Sequence, residues 1–217
     1  MRECATRFFA GLLAWLIGLT GIAAADTIVV EVRSNFFSPA EVSIATGDTI
    51  HWVWISGSHN TISVDGLWAS DIQGPPSTFD YTFTTPGDFA YICSLHIDCC
   101  HMQGIVHVTD PVNLAGALAA TDPDDPDAAG TATFNMVPYR STFDLPVQNV
   151  VSTMTVDVFV NGNFVGTIGL DASGNGELFL DTDNGDTVPA LQNGDEIEVY
   201  DAADDTTLIL IGNVSPA

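Results

Sequence analysis

Lysine is missing from this chain, and arginine occurs only four times, against 28 acidic residues and a formal net charge of −24. A surface of that sign repels nucleic acid and anionic membranes, which are gripped by clustered cations. It favours basic partners and cations at low salt. Histidine and cysteine are also scarce, five and four, and residues 130–217 contain neither. That half therefore holds no Ser/His/Asp or Cys/His arrangement for nucleophilic catalysis. No long amphipathic helical pattern is evident. With 46% hydrophobic residues, the chain has enough apolar material to fold despite its charge.

Arg2 and Arg7 precede an apolar run, Phe8 to Ile22, and Ala23-Ala-Ala25 supplies small residues for cleavage. This is the pattern of a secretory leader, so residues 1–25 are expected to be removed and Asp26 to begin the mature chain. The run is short for a membrane span, so no stable membrane insertion is expected after cleavage. The expected location is secreted or periplasmic. Cleavage leaves Arg33 and Arg140 as the basic side chains, and Cys93, Cys99 and Cys100 as the cysteines.

The remainder reads as strand after strand. Thr27-Ile-Val-Val-Glu-Val32 is rich in β-branched residues. Glu41-Val-Ser-Ile44, Thr49-Ile-His-Trp-Val-Trp54 and Thr78-Phe-Asp-Tyr-Thr-Phe83 alternate. Phe89-Ala-Tyr-Ile92 leads into Cys93, and Gly104-Ile-Val-His-Val108 follows. Turns such as Thr46-Gly-Asp48, Gly74-Pro-Pro76 and Pro86-Gly-Asp88 separate them. Several short strands over about 85 residues make a β-sandwich. Thr121-Asp-Pro-Asp-Asp-Pro-Asp-Ala-Ala-Gly130 has no large apolar side chain and reads as linker. The expected organisation is a domain over 26–113, an acidic Pro-rich linker over 114–129 and a second, smaller β-domain over 130–217. In the latter, Thr153 to Val160, the Asn161-Gly162 turn and Phe164 to Leu170 predict a hairpin. Asp181-Thr-Asp-Asn-Gly-Asp186 has its glycine one place early for a calcium loop, and a plain acidic turn is the favoured reading.

Chemistry is concentrated in Cys93-Ser-Leu-His96 and Met102-Gln-Gly104, with His59 upstream in Gly57-Ser-His-Asn-Thr61. One thiolate, two imidazoles and a weak thioether are the donor set of a blue copper ion, whose soft thiolate bond and axial ligand tune the redox potential. His51 and His107 fall within strands and read as structural. Trp52 and Trp54 share one strand face and read as core.

The run Phe37-Ser-Pro-Ala-Glu-Val-Ser-Ile, then Gly47-Asp-Thr-Ile-His-Trp, Gly57-Ser-His-Asn-Thr, Tyr81-Thr-Phe-Thr-Thr-Pro-Gly, Tyr91-Ile-Cys-Ser-Leu-His and Met102-Gln-Gly-Ile-Val resembles a plastocyanin- or azurin-like cupredoxin in order and spacing. The resemblance covers residues 26–110, roughly 40% of the chain. It implies a Greek-key β-sandwich with one copper ion per chain at one end. It carries His59, Cys93 and His96 over as equatorial ligands and Met102 as the axial one. It also implies that Asn60 helps tie the ligand loops together, and that a histidine placed like His96 passes the electron to a partner.

The ligand loop departs from the shorter family pattern. His101 holds the fifth position after His96, and Met102 the sixth. Met102 is favoured because it keeps its register with the strand that starts near Gly104. Cys99-Cys100 has two readings: a vicinal disulfide in an oxidising compartment, or extra metal ligation. A binuclear copper loop is disfavoured because His96 falls between Cys93 and Cys99. A disulfide from Cys93 to Cys99 or Cys100 would abolish the metal site. The chain has no His-x-His pairs for a trinuclear cluster, so a multicopper oxidase is not expected. The expected function is a one-electron carrier rather than an enzyme, serving a redox partner with a basic docking surface. The alternatives are copper storage or delivery, or a matrix or adhesion protein that uses this domain as scaffold.

Overall fold

The computed structural model describes residues 25–203 and 206–217. The expected leader, apart from Ala25, lies outside the described residues. Among the described residues, no helix is long and apolar enough to cross a membrane. The chain is nearly all β and is organised around two separate hydrophobic clusters.

The first unit contains β1 (Thr27–Arg33), β2 (Phe36–Ser38), β3 (Glu41–Ala45), β4 (Thr49–Trp54), β5 (Ile62–Ser63), β6 (Thr78–Thr82), β7 (Gly87–Ile92), a single helical turn α1 (Ile97–Cys100) and β8 (Gln103–Thr109). They form two four-stranded sheets, ordered β2-β1-β4-β6 and β3-β8-β7-β5. β1 runs parallel to β4 and β3 parallel to β8, while the other pairs are antiparallel. This is a β-sandwich.

Period-two alternation decides what it buries. In β4 Ile50, Trp52 and Trp54 point inward, and Val30 and Val32 do so in β1. Trp52 sits edge-on to Tyr91 with ring centroids 5.5 Å apart, and Trp68 packs beside it at 5.6 Å. Offset and edge-to-face aromatic contacts of this kind add specificity to the area they bury. The core thus forms a rigid floor beneath the end of the sandwich where β7 runs into Cys93. His51 and His107 are surface groups: His51 pairs with Asp80, and His107 bonds Asp88 (2.6 Å) and Glu41 (3.1 Å).

The second unit begins earlier than the sequence suggested. β9 (Val112–Ala120) is followed by β10 (Ala129–Val137), β11 (Arg140–Gln148), β12 (Thr155–Val160), β13 (Asn163–Gly169), β14 (Gly176–Asp181), β15 (Glu196–Asp201) and β16 (Leu208–Asn213). With a short terminal strand they form a nine-stranded sheet, ordered β13-β12-β15-β16-β9-β10-β11-β14. The expected linker over 114–129 is therefore corrected. Residues 114–120 belong to a central strand, residue 129 opens β10, and the second unit is not the smaller one. Ala and Gly dominate β9, so its strand signal is weak. Its neighbours supply the packing: Leu114 and Leu118 are buried, and a side chain on Gly116 would strike the Asn213 carbonyl at 2.3 Å.

The acidic turn between β9 and β10 is also anchored. Asp125 is 1% exposed. It accepts hydrogen bonds from Val151 N (2.7 Å), Ser152 N (3.1 Å) and the Ser152 hydroxyl. Asp181 caps a short turn and binds Arg140, and that guanidinium holds its carboxyl below the usual range. The Asp181–Asp186 stretch is thus a capped acidic turn.

Removing the Asp125 carboxylate strands two backbone donors. Asp125→Ala should cost the second unit about 1–3 kcal/mol in chemical denaturation, since buried donors left unpaired carry their full desolvation cost. Asp125→Asn keeps an acceptor oxygen and should cost less. Equal stability of Asp125→Ala and the parent would mean that other contacts hold the turn.

Candidate metal centre

Two chain segments meet at one end of the first sandwich. The first, between β4 and β5, carries His59. Its backbone is held on both sides by a mutual pair with Gln73, His59 N to Gln73 O and Gln73 N to His59 O, both 2.9 Å. Its carbonyl also accepts the Trp54 indole N–H at 2.9 Å, so a core tryptophan fixes the height of the loop. The second segment starts where β7 ends. Cys93 N donates to Met102 O (3.0 Å), His96 N to Cys93 O (3.1 Å) and Met102 N to His96 O (3.3 Å). These bonds fold residues 93–102 into a closed loop around α1. Asn60 joins the segments: its Oδ1 accepts Ser94 N and its Nδ2 donates to Ser94 Oγ, both at 2.9 Å.

The result is a triangle of donor atoms. His59 Nδ1 and His96 Nδ1 lie 3.0 Å apart, and Cys93 Sγ is 3.7 Å from the first and 3.4 Å from the second. A point in the middle of such a triangle is about 2 Å from each corner, the bond length of a first-row metal to imidazole nitrogen or thiolate. Cys93 is fully buried, His59 is 2% exposed and His96 is half-buried. Burial, and then the neighbouring His96, push the His59 imidazole below its ordinary value, although the Ser56 backbone acts the other way. A neutral ring is the form that binds a metal. Among the described residues, His59, Cys93 and His96 are the one group of three or more histidine, cysteine or acidic side chains with donor atoms all within 4.8 Å. The donor set fits a soft, imidazole-accepting ion such as copper.

The residues expected to ligate therefore fall into one place. Met102 is 1% exposed and belongs to the same buried cluster as Cys93. His101 is exposed, in the left-handed region (φ 51°) at the end of α1. Cys99 and Cys100 are joined to each other and exposed, while Cys93 is free and buried. Of the alternatives open in the sequence, the vicinal pair is the one seen, and the thiol that faces the histidines is not consumed.

Sequence reading missed Gly57. A Cβ on it would lie 2.4 Å from His59 Nε2, and its φ of +77° suits glycine. The Gly57-Ser-His spacing hints at such a cradle, but only the folded loop puts the glycine against the ring. It likewise missed Ser94 and the indole bond from Trp54, which depend on segments brought together by the sandwich.

No protein-family model matches the chain. Among curated proteins it is similar to the chloroplastic plastocyanin of Physcomitrium patens, 28% identical over 114 residues, covering 45% of this chain and 67% of the plastocyanin. Among solved structures it is similar to a purple cupredoxin from Nitrosopumilus maritimus, at 26% identity and a TM-score of 0.34, covering 37% of this chain and 98% of the cupredoxin. It is also similar to a Cu-containing nitrite reductase from Thermus scotoductus SA-01, at 27% identity and a TM-score of 0.34, covering 40% of this chain. The match spans only 23% of the reductase. The plastocyanin likeness and the ordered motifs support a cupredoxin segment over about 40% of the chain.

Asn60 is buried and bonds a residue beside Cys93, so its loss should free the two loops from each other. Asn60→Ala is expected to keep the β signature in circular dichroism and to lower metal affinity by about 10–100-fold, the usual cost of losing a group that orients ligands. Competition with a chelator for Cu(I) measures this. An unchanged affinity would assign the loop geometry to the backbone bonds alone.

Proposed function

We propose that residues 26–110 hold one copper ion between His59, Cys93 and His96, with Met102 as a weak axial ligand, and carry one electron at a time between partners outside the cytoplasm. The observation that carries this reading is the triangle of two imidazole nitrogens and one thiol, with Met102 buried in the same cluster as Cys93. Copper bound there supplies the change between its two oxidation states. The chain's own residues do the rest. Cys93 and His59 are shielded from water, so no substrate reaches that side of the site. Asn60–Ser94 and the backbone bonds of the 93–102 loop keep the donors in place in both states, which keeps reorganisation small. His96, half-buried and next to the exposed Leu95 (48%), is the donor nearest solvent and the point of electron exit.

Three further observations support the wider role. The acidic charge favours a partner with a basic docking surface. The Cys99–Cys100 disulfide suits an oxidising compartment. The apolar run behind Arg2 and Arg7 is the pattern of an exported chain. We infer a carrier rather than an enzyme, because two of the three donors, Cys93 and His59, are buried and the sequence has no His-x-His pairs. The two units fold separately in this reading, with the second as an accessory domain.

The copper-loaded protein is expected to bind one ion per chain and to show an intense visible thiolate-to-copper band. Cys93→Ser should abolish the band and leave the sandwich folded. Met102→Leu removes the thioether and should raise the reduction potential while copper stays bound, whereas His101→Ala should shift it little. A wild type that takes up zinc alone would overturn the copper assignment. A large shift in His101→Ala with Met102→Leu silent would make the histidine the axial ligand. Copper that binds but does not cycle reversibly with a redox mediator would favour storage or delivery.

A further inference from the structure

Away from the metal centre, Asp26 and Asp48 share a site in which Asp48 is hydrogen-bonded by neutral donors alone. Asp48 is 2% exposed. Its Oδ1 accepts Asp26 N at 2.8 Å and its Oδ2 accepts Ala45 N at 2.9 Å. The Tyr139 hydroxyl, reaching over from the β10–β11 hairpin, donates to Asp26 Oδ2 (2.7 Å) and lies 3.4 Å from Asp48 Oδ2. Burial, and then the bond to Asp26, hold that phenol protonated well above its ordinary range. Arg33 pairs with Glu31; Arg140 bonds Asp181 and pairs with Asp183, and its charge also reaches Asp26, but neither arginine bonds Asp48. A buried carboxylate held by neutral donors alone is costly, and a cation beside it repays much of that cost.

We propose that the chain is processed between Ala25 and Asp26, and that the α-ammonium this creates is the missing cation, pairing with Asp48. Hydrolysis adds one water across the Ala25–Asp26 peptide bond. A carboxylate stays on Ala25, and an amine, protonated at neutral pH, appears on Asp26. A leader peptidase that reads small residues supplies the catalysis, and Ala23-Ala-Ala25 is such a sequence. The nitrogen is already in place: Asp26 N is the atom that faces Asp48 Oδ1. Cleavage thus turns an amide-to-carboxylate hydrogen bond into one with charge on both partners, an ion pair, which is stronger. Thr49 N donates to Asp26 O at 2.8 Å, and Thr27 pairs with Thr49 in the β1–β4 ladder. The new terminus therefore fixes the start of β1 against β4, and through Tyr139 it ties the second unit to the first. Cleavage one residue earlier or later would place the charge off this position.

The absence of lysine makes the test clean, because the α-amine is then the only primary amine in the processed chain. The full gene, exported with its own leader, should yield a protein whose first residue is Asp26 by mass and terminal sequencing. A second gene with Ser-Gly inserted after Ala25 keeps the Asp26 N–H but carries its charge two residues away. An amine-selective acylating reagent should label the native terminus at least about 10-fold more slowly than the extended one, as expected for a charge-assisted pair. In the same copper-loaded state the extended form should melt about 2–4 °C lower, the shift that roughly 1 kcal/mol produces in a chain of this size. A first residue other than Asp26, equal labelling rates or equal melting temperatures would each overturn the proposal. So would a melting difference that appears only when calcium or magnesium is added, since a bound metal and not the amine would then balance Asp48.

Discussion

Two imidazole nitrogens and a thiol sulfur lie within 3.7 Å of one another, and the first unit is arranged to keep them there. Two of the three, Cys93 and His59, are buried away from solvent. Backbone and side-chain hydrogen bonds together hold the arrangement. The Gln73 pair, the Trp54 indole and the Asn60–Ser94 bonds hold the His59 loop. The closed loop of residues 93–102 holds the other two donors. Beneath both lies a floor of interlocked aromatic rings, whose rigidity comes from close packing rather than from any single strong bond.

The second unit follows a different economy. Its sheet curls until β13 comes beside β14, where a side chain on Gly176 would meet the Gly169 carbonyl at 2.7 Å. Phe134, Phe143, Leu145, Val158, Ile197 and Val199 fill the interior. Acidic side chains, too many to be neutralised by Arg140 alone, serve as hydrogen-bond acceptors for backbone amides at turns, as Asp125 and Asp171 do. An acidic surface is thus compatible with a stable fold when its carboxylates cap backbone donors that would otherwise lack partners. The same logic, applied to the junction of the units, places Asp48 and Asp26 around the chain's own nitrogen and Tyr139.

The sequence by itself determined which donor side chains are available to one site and most of the first unit. Cys93, His96 and Met102 fall within ten residues, so one loop must present them together. The alternation in β4 and β6 sets their inward faces whatever their neighbours are. It also settled that residues 130–217 lack nucleophilic and metal-ligating side chains of the usual kinds. Tertiary structure alone decided what depends on contacts between distant segments. It put β9 into a sheet although alanine and glycine give it little strand signal of its own, because the flanking strands supply hydrogen bonds and a core for Leu114 and Leu118. It set Gly57 against the His59 ring and Ser94 against Asn60. It paired Cys99 with Cys100 and kept Cys93 free, because β7 carries that thiol inward while α1 turns the other two out to solvent. Local pattern records which face of a strand is apolar; only the folded chain fixes which atoms meet across it.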